Sequence, residues 1–497
     1  MAMQKDRRRI AALFCLCLLS PLVRAQEKPL FTTDFPPEEF AERRRRVFER
    51  IGPEAIALVQ GAPAPIGWVR FRQSNEFYYL CGVEVPNAYL LLDGRTQRTV
   101  LYLPHRNEQR ERSEGKVLSA EDADLVKRLT GVDAVYGTEL LAGHLARYVS
   151  GFGAAKPPVL YTPFSPAEGI STSRSAALPP YADNLSNPWD GFPSREGWFV
   201  HLLRLRFPQF EIRDLSPILD ELRVIKSPRE IRLIRQATEL AGLAIMEAMR
   251  STEPGVMEYE LDALAKFIFY RNGAQAEAYR SIIAGGRNAY MNHYFANTDE
   301  LRDGDLVLMD YCPDVGYYVC DVTRQFPVNG RFNQWQRELY GFYLACYKAL
   351  LARIRPGVTP QIIMQEVAQE WERILAQTKF SKSIYEQAAR RFVAQYKNAA
   401  NNPRASLGHW VGMAVHDAGP YRGEPLRPGM VFTVEPEFRV PEEQIFIRLE
   451  DMILITERGA EVLSGFIPME IEDVERLMRE EGLLQKYPRA FRRSGSS

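Results

Sequence analysis

Two aspartates eleven residues apart, Asp310 and Asp321, begin the set of side chains in this sequence that could do chemistry together. Asp310 closes the apolar run Leu306-Val307-Leu308-Met309, and Asp321 lies in the alternating stretch 317–326. His409 in SLGHWVGMAVHD, Glu435 in GMVFTVEPEF and Glu450 in IFIRLEDMI join them. Glu435 ends an apolar strand over 431–434, just before Pro436, and Glu450 follows Ile445, Ile447 and Leu449. A carboxylate in such surroundings is costly to bury unless it is paired or bound to a cation. Few basic residues are near in sequence, so salt bridges alone do not account for four of them. Metal binding does.

Four carboxylates and one imidazole form an oxygen-rich set suited to Mn²⁺, Co²⁺ or Zn²⁺ rather than a soft ion. A single catalytic zinc keeps about three protein ligands. Five fit a pair of ions roughly 3.5–4 Å apart, with some carboxylates bridging and a shared water made acidic. Two divalent ions are therefore expected, Mn²⁺ first, with Co²⁺ or Zn²⁺ as alternatives. Asp303 and Asp305, around Gly304, read as turn residues. His105, His144 and His201 have no comparable setting and read as structural or exposed.

Strands must carry these ligands. Ser227, Pro228 and Glu230 have the spacing of a capping box with proline at the first helical position. A helix with apolar residues at helical spacing follows them, and a second runs from about 259 to 271. Strands are expected near 280–285, 304–311, 317–326, 431–435 and 445–455, with helices between 333 and 400. That order suggests an α+β domain in which helices cover one face of a curved antiparallel sheet. Upstream, 28–215 reads as mixed, with strands at 88–94 and 98–104 and a helix at 119–131. Residues 163–198, rich in Pro, Ser, Gly and Asn, read as a long loop or an insertion near a binding cleft or an oligomer contact.

The first 25 residues are read separately. A basic start (Lys5, Arg7, Arg8, Arg9), an apolar run from Ile10 to Val23 and small residues before Gln26 have the form of a secretory signal. The apolar run of fourteen residues is shorter than the roughly 20 a spanning helix needs. The expectation is an exported protein, periplasmic or secreted, with no stable membrane insertion after cleavage. The whole chain has formal charge zero; without residues 1–25 it loses five basic residues and one acidic one, leaving about −4. Nothing in that balance favours nucleic acid. The remaining 472 residues exceed one hydrophobic core, so at least two domains are expected. Cys81, Cys312, Cys320 and Cys346 remain, too few for a disulfide scaffold and without a Cys-x-x-Cys pair. Cys312 and Cys320 would lie nearly opposite if 306–326 formed a hairpin.

The motifs FRQSNEFYYLCG (71–82), GDLVLMD, DVTRQFPVNG, GHWVGMAVHDAG, PGMVFTVEP and IRLED together resemble the aminopeptidase P and prolidase group of pita-bread metallopeptidases. The resemblance runs through nearly the whole chain. Between the signal at 1–25 and a tail at 479–497, it implies an N-terminal creatinase/aminopeptidase P-like domain at 28–215 and a pita-bread catalytic domain at 227–478. It also implies that Asp310 and Asp321 hold the first metal, that His409 and Glu435 bind the second, and that Asp321 and Glu450 bridge. A metal-bridging hydroxide would attack the first peptide bond of a peptide with proline second. Glu435 would move the proton, His293 would contact the substrate, and His416 would stabilise the tetrahedral intermediate. Arg448 would orient Glu450. Dimers or tetramers are common in the group.

The sequence departs from the group's pattern at Ala405, where a histidine often stands, at Tyr311-Cys312 after the first aspartate, and at Glu437 after Val-Glu-Pro. The link from Glu435 to Glu450 is also short. The leading expectation is an Xaa-Pro aminopeptidase; the alternatives are a prolidase limited to dipeptides and a non-catalytic binding module on the same fold.

Overall fold

The structure is a computed structural model that describes residues 30–150, 157–170, 172, 174–189 and 191–489. The expected signal at 1–25 and the last residues of the 479–497 tail lie outside that set. The part of the tail inside it is docked rather than free. Leu483–Lys486 is a short helix, and Gln485 donates to the Ser251 carbonyl at 3.1 Å.

The N-terminal half is built on a six-stranded mixed sheet. Its central strand Ala55–Gln60 pairs antiparallel with Tyr89–Asp93, which pairs antiparallel with Arg98–Leu103. Ala134–Gly137 extends one edge in parallel; Val159–Thr162 and Glu211–Asp214 extend the other. Ala55, Ala57 and Val59 face one apolar core while Ile56 and Leu58 face a second. Burial on both faces is why the central strands read as continuous apolar runs. The region 163–198 is not the long loop expected from its composition. It contains the helix Arg174–Ser186 and the start of a second, Arg195–Arg206. Pro179 and Pro180 inside the first helix hide it from a periodicity argument.

In the C-terminal half the expected capping box forms. Ser227 Oγ accepts from Glu230 N, Glu230 accepts from Ser227 N at 2.8 Å, and the helix Pro228–Ser251 follows. The helix Glu258–Arg271 packs beside it. Two three-stranded antiparallel sheets come next. The first comprises Ile282–Gly285, Leu306–Asp310 and Thr323–Pro327, with Leu306–Asp310 central. The second comprises Val431–Val434, Asp451–Thr456 and Gly459–Val462, with Asp451–Thr456 central. A bridge between Thr323 and Glu450 joins them. Between the sheets in sequence run the helices Gln334–Leu351, Pro360–Gln377 and Ser383–Ala399.

Two strands differ from expectation. The strand expected over 317–326 begins only at Thr323. Gly316 and Tyr317, both at positive φ, form a two-residue turn between the bridged Val315 and Tyr318. The strand expected across 445–455 is two strands. Ile445–Ile447 pairs with Phe438–Val440, and Asp451–Thr456 turns to the other sheet. Arg448 and Glu450 sit in the break. Cys312 and Cys320 are buried free thiols.

Tyr317 also fastens the halves together. Its ring stacks on Tyr78 at 3.6 Å, and Arg72 lies over it at 4.5 Å. Its hydroxyl accepts from Gln73 N at 2.8 Å and donates to Glu84 at 2.8 Å. Left-handed backbone at a bulky residue is strained, and these contacts hold it there. Tyr317→Phe removes both hydrogen bonds and leaves the buried Gln73 amide without its acceptor. A loss of about 1–3 kcal/mol in stability is expected by urea unfolding.

Candidate metal centre

Asp310, at the end of its strand, stands in register with Thr323 on one side and Ile282 on the other. Asp321 lies two residues before the Thr323–Pro327 strand, Glu435 directly after Val431–Val434, and Glu450 beside Thr323 across the sheet junction. His409 is held against the same strand, where its carbonyl accepts from Thr433 N at 2.9 Å. Gly408 lets the backbones approach, because a Cβ there would collide with the Thr433 carbonyl oxygen.

These side chains converge in three overlapping groups whose ligand atoms lie within 4.8 Å of one another: Asp310, Asp321 and Glu450; His409, Glu435 and Glu450; and Asp321, His409 and His416. His409 Nδ1 lies 3.2 Å from the Trp410 carbonyl, which can only accept, so Nδ1 carries the proton. Nε2 then faces Asp321 and Glu435 oxygens at 3.4 Å and a Glu450 oxygen at 3.7 Å. An imidazole lone pair surrounded by carboxylate oxygens calls for a cation among them. Glu450 Oε1 points the same way, since it is buried with no hydrogen-bond partner. Burial, together with Glu450 and Asp310, pushes Asp321 well above the usual carboxylate range. Burial also raises Asp310, against the pull of Arg448. The donor set fits a pair of divalent ions.

The chain is about 33% identical to the Xaa-Pro aminopeptidase of Haemophilus influenzae over 471 residues, covering 90% of this chain and 99% of that protein. It is 32% identical to the Xaa-Pro aminopeptidase of Escherichia coli, covering 89% and 97%. Residues 232–457 match the model of metallopeptidase family M24, and 40–155 match that of the aminopeptidase P N-terminal domain. The chain belongs to metallopeptidase family M24. Among solved structures it resembles zinc-substituted E. coli aminopeptidase P in complex with product, with a TM-score of 0.70 at 30% identity over 90% of this chain and 98% of that one. The same enzyme with the inhibitor Pro-Leu matches at a TM-score of 0.69, again at 30% identity over 90% and 98%. The catalytic half is thus the M24 pita-bread fold, and this M24 chain is a metal-dependent hydrolase of peptides.

A cleft of about 540 Å³ gathers the M24 chain's five candidate ligands with His293, His416, Arg448, Tyr279, Arg280 and Thr172. His416 stacks on His409 at 4.0 Å. Burial and the neighbouring His409 and His293 push it down to about 4, so at neutral pH it is an uncharged imidazole. His293 is exposed and stacks with Phe295. Arg448 reaches Glu450 through Thr323 and touches two other carboxylates directly. It binds Asp310, reaches Glu435 at 3.2 Å, and donates to Thr323 Oγ1 at 3.0 Å, which in turn donates to Glu450 at 2.8 Å.

Sequence reasoning missed several residues. The Tyr279 hydroxyl bonds Asp310 and Asp321, the latter at 2.7 Å, but a tyrosine in a loop carries no motif that marks it. A buried quartet was also invisible. Arg223 binds Glu168 and Asp417, and Lys226 reaches Asp417 at 3.2 Å. Asp417 follows His416 and closes its loop by donating from its backbone to the Trp410 carbonyl at 2.8 Å.

The departures from the family pattern now have places. Ala405 is buried with Met364 and Ala400 and lines a separate cavity of about 290 Å³ rather than the metal cleft. Gly408 and Trp410 line that cavity, while His409 between them lines the cleft. Tyr311 and Cys312 are buried in the core. Glu437 lies at the cleft edge, accepting from Asn292 at 2.5 Å. His105 meets Glu121, His144 meets the Tyr102 hydroxyl and His201 stacks on Trp198, all away from the cleft.

Gly408→Ala should displace His409 while leaving its side chain intact. Metal affinity is expected to fall by roughly tenfold or more, as for other changes that misplace a ligand, read by titration with bound metal measured after dialysis.

Proposed function

We propose that this chain is an aminopeptidase that releases the N-terminal residue from peptides with proline in second position. The carrying observation is the convergence of Asp310, Asp321, His409, Glu435 and Glu450 in one cleft, with all five residue types intact. Near full-length similarity to proteins named Xaa-Pro aminopeptidase supports the proline preference. Asp310 and Asp321 would hold one divalent ion and His409 and Glu435 the other, with Asp321 and Glu450 shared. Mn²⁺ is the proposed metal, on the oxygen-rich donor set. When bound, the ions supply Lewis acidity and an acidified water.

The protein's own groups divide the remaining work. Glu435 lies at the rim of the buried cluster, between His409 and Arg448. It takes a proton from the attacking water and returns it to the leaving nitrogen. The ion pair with Arg448 fixes which way its carboxylate faces. His416, uncharged but able to donate one N–H, stabilises the developing oxyanion. His293, exposed on the facing wall, contacts the substrate beside the scissile bond. No observation favours a dipeptidase or a non-catalytic module. The basic start, apolar run and small residues of 1–25 support export to the periplasm or beyond.

Full-length protein loaded with Mn²⁺ should release the first residue from a tripeptide with proline second and spare its alanine counterpart. Equal release from both would overturn the proline preference. Asp321→Asn removes a shared ligand charge and should cost roughly 100-fold or more in kcat/KM. Far-UV circular dichroism should be unchanged and the bound metal reduced; full activity in that variant would refute the ligand assignment.

A further inference from the structure

The cleft is lined by five carboxylates, those of Asp310, Asp321, Glu435, Glu437 and Glu450, and by only two cationic side chains, Arg280 and Arg448. Arg448 is committed, being buried and bonded to Asp310, Glu435 and Thr323. Arg280 is exposed and, among the described residues, makes no hydrogen bond, ion pair or ring contact. A guanidinium beside so many carboxylates that pairs with none of them is a cation kept available. Glu437, the carboxylate at the cleft edge, is taken by Asn292 and by Arg439 at 3.1 Å.

The backbone around Arg280 is pinned on both sides. Tyr279 is tied to Asp310 and Asp321. Ser281 Oγ donates to Asp262 at 2.7 Å, and its carbonyl accepts from Asn297 at 3.0 Å. Consecutive Cα atoms are about 3.8 Å apart, so Arg280 stands one residue away from a side chain that touches the metal ligands. A cleft of about 540 Å³ suits a ligand the size of a peptide of a few residues. In such a peptide, the group always able to meet a guanidinium is the C-terminal carboxylate, two residues or so past the cleaved bond. Arginine's planar fork matches it.

We propose that Arg280 binds the carboxylate of short peptide substrates and so makes this enzyme select for a free carboxylate just downstream of the scissile bond. The proposal rests on the aminopeptidase reading above and adds the substrate class. An acidic side chain at the third position presents the same chemistry, so the test separates the two sources.

The experiment uses Mn²⁺-loaded full-length protein, wild type, Arg280→Gln and Arg280→Lys. Three substrates are compared: Ala-Pro-Ala as the free acid, Ala-Pro-Ala amide and Ala-Pro-Asp amide. In wild type, kcat/KM for the free acid should exceed that for the amide by about fivefold, the worth of one partly exposed ion pair. Arg280→Gln should bring the free acid down to the amide and leave the amide unchanged, and Arg280→Lys should retain part of the difference. A rise in Ala-Pro-Asp amide over Ala-Pro-Ala amide, lost in Arg280→Gln, would show that a side-chain carboxylate serves as well. An acid-to-amide ratio unchanged by Arg280→Gln, or absent in wild type, overturns the proposal. Binding of Pro-Leu and Pro-Leu amide, measured by calorimetry, reads Arg280 even if none of the tripeptides is cleaved. There too, weaker binding of the acid alone in Arg280→Gln supports the assignment, and no difference refutes it.

Discussion

Three carboxylates that are almost wholly buried face one another in this molecule, and most of the catalytic half can be read as the answer to that constraint. Asp310, Asp321 and Glu450 are 4%, 6% and 1% exposed, so none can shed its charge into water. Burial and the neighbouring carboxylates push the two aspartates toward protonation. Arg448 offsets part of the charge by binding Asp310 and Glu435. It cannot reach every oxygen, and Glu450 Oε1 lacks a hydrogen bond. A compact divalent cation can be shared among carboxylates where a planar guanidinium cannot. The cluster therefore specifies metal through its geometry as well as its residue types.

Holding like charges together requires a stiff frame. The four candidate carboxylates come from at or beside the strand ends of two separate sheets, fastened at the Thr323–Glu450 bridge. Behind that bridge Arg324 is fully buried, pairs with Asp451 at 2.6 Å and donates to the Thr323 and Glu450 carbonyls. The Tyr347 hydroxyl meets the other Asp451 oxygen at 2.8 Å. Removing one partner of such a buried pair leaves an uncompensated charge at a cost of about 3–5 kcal/mol. That penalty falls where the sheets join, so the spacing of the candidate ligands and the stability of the junction are set by the same contacts.

The candidate ligands were legible in the sequence because a charged residue closing an apolar strand is itself a physical anomaly. Asp310 and Glu435 could be read from that alone, and the capping box at Ser227 from its spacing. Glu450 was found but misplaced, within one long strand, because apolar alternation continues through 445–455 while the hydrogen bonding changes partner at Arg448. The helix Arg174–Ser186 was lost to its two prolines. Tyr279, Glu168 and Asp417 were illegible for a different reason. Their importance lies in contacts with residues 31 to 194 positions away, and local sequence carries no trace of such pairings.

Glu168 shows why the N-terminal half belongs to the active site rather than beside it. The segment carrying it continues to Ile170, whose carbonyl accepts from Val415 N at 2.9 Å, and to Thr172, which bridges His416 and lines the metal cleft. Arg223 ties that segment to Asp417, so the loop bearing His409 and His416 is clamped from the N-terminal side. A catalytic half on its own would keep the five candidate ligands but lose one wall of the cleft. The anchor that sets the angle of His416 would go with it. A metal pair polarises whatever carbonyl it meets, and selectivity has to come from the walls that decide which carbonyl arrives. Here one of those walls is supplied by the other domain.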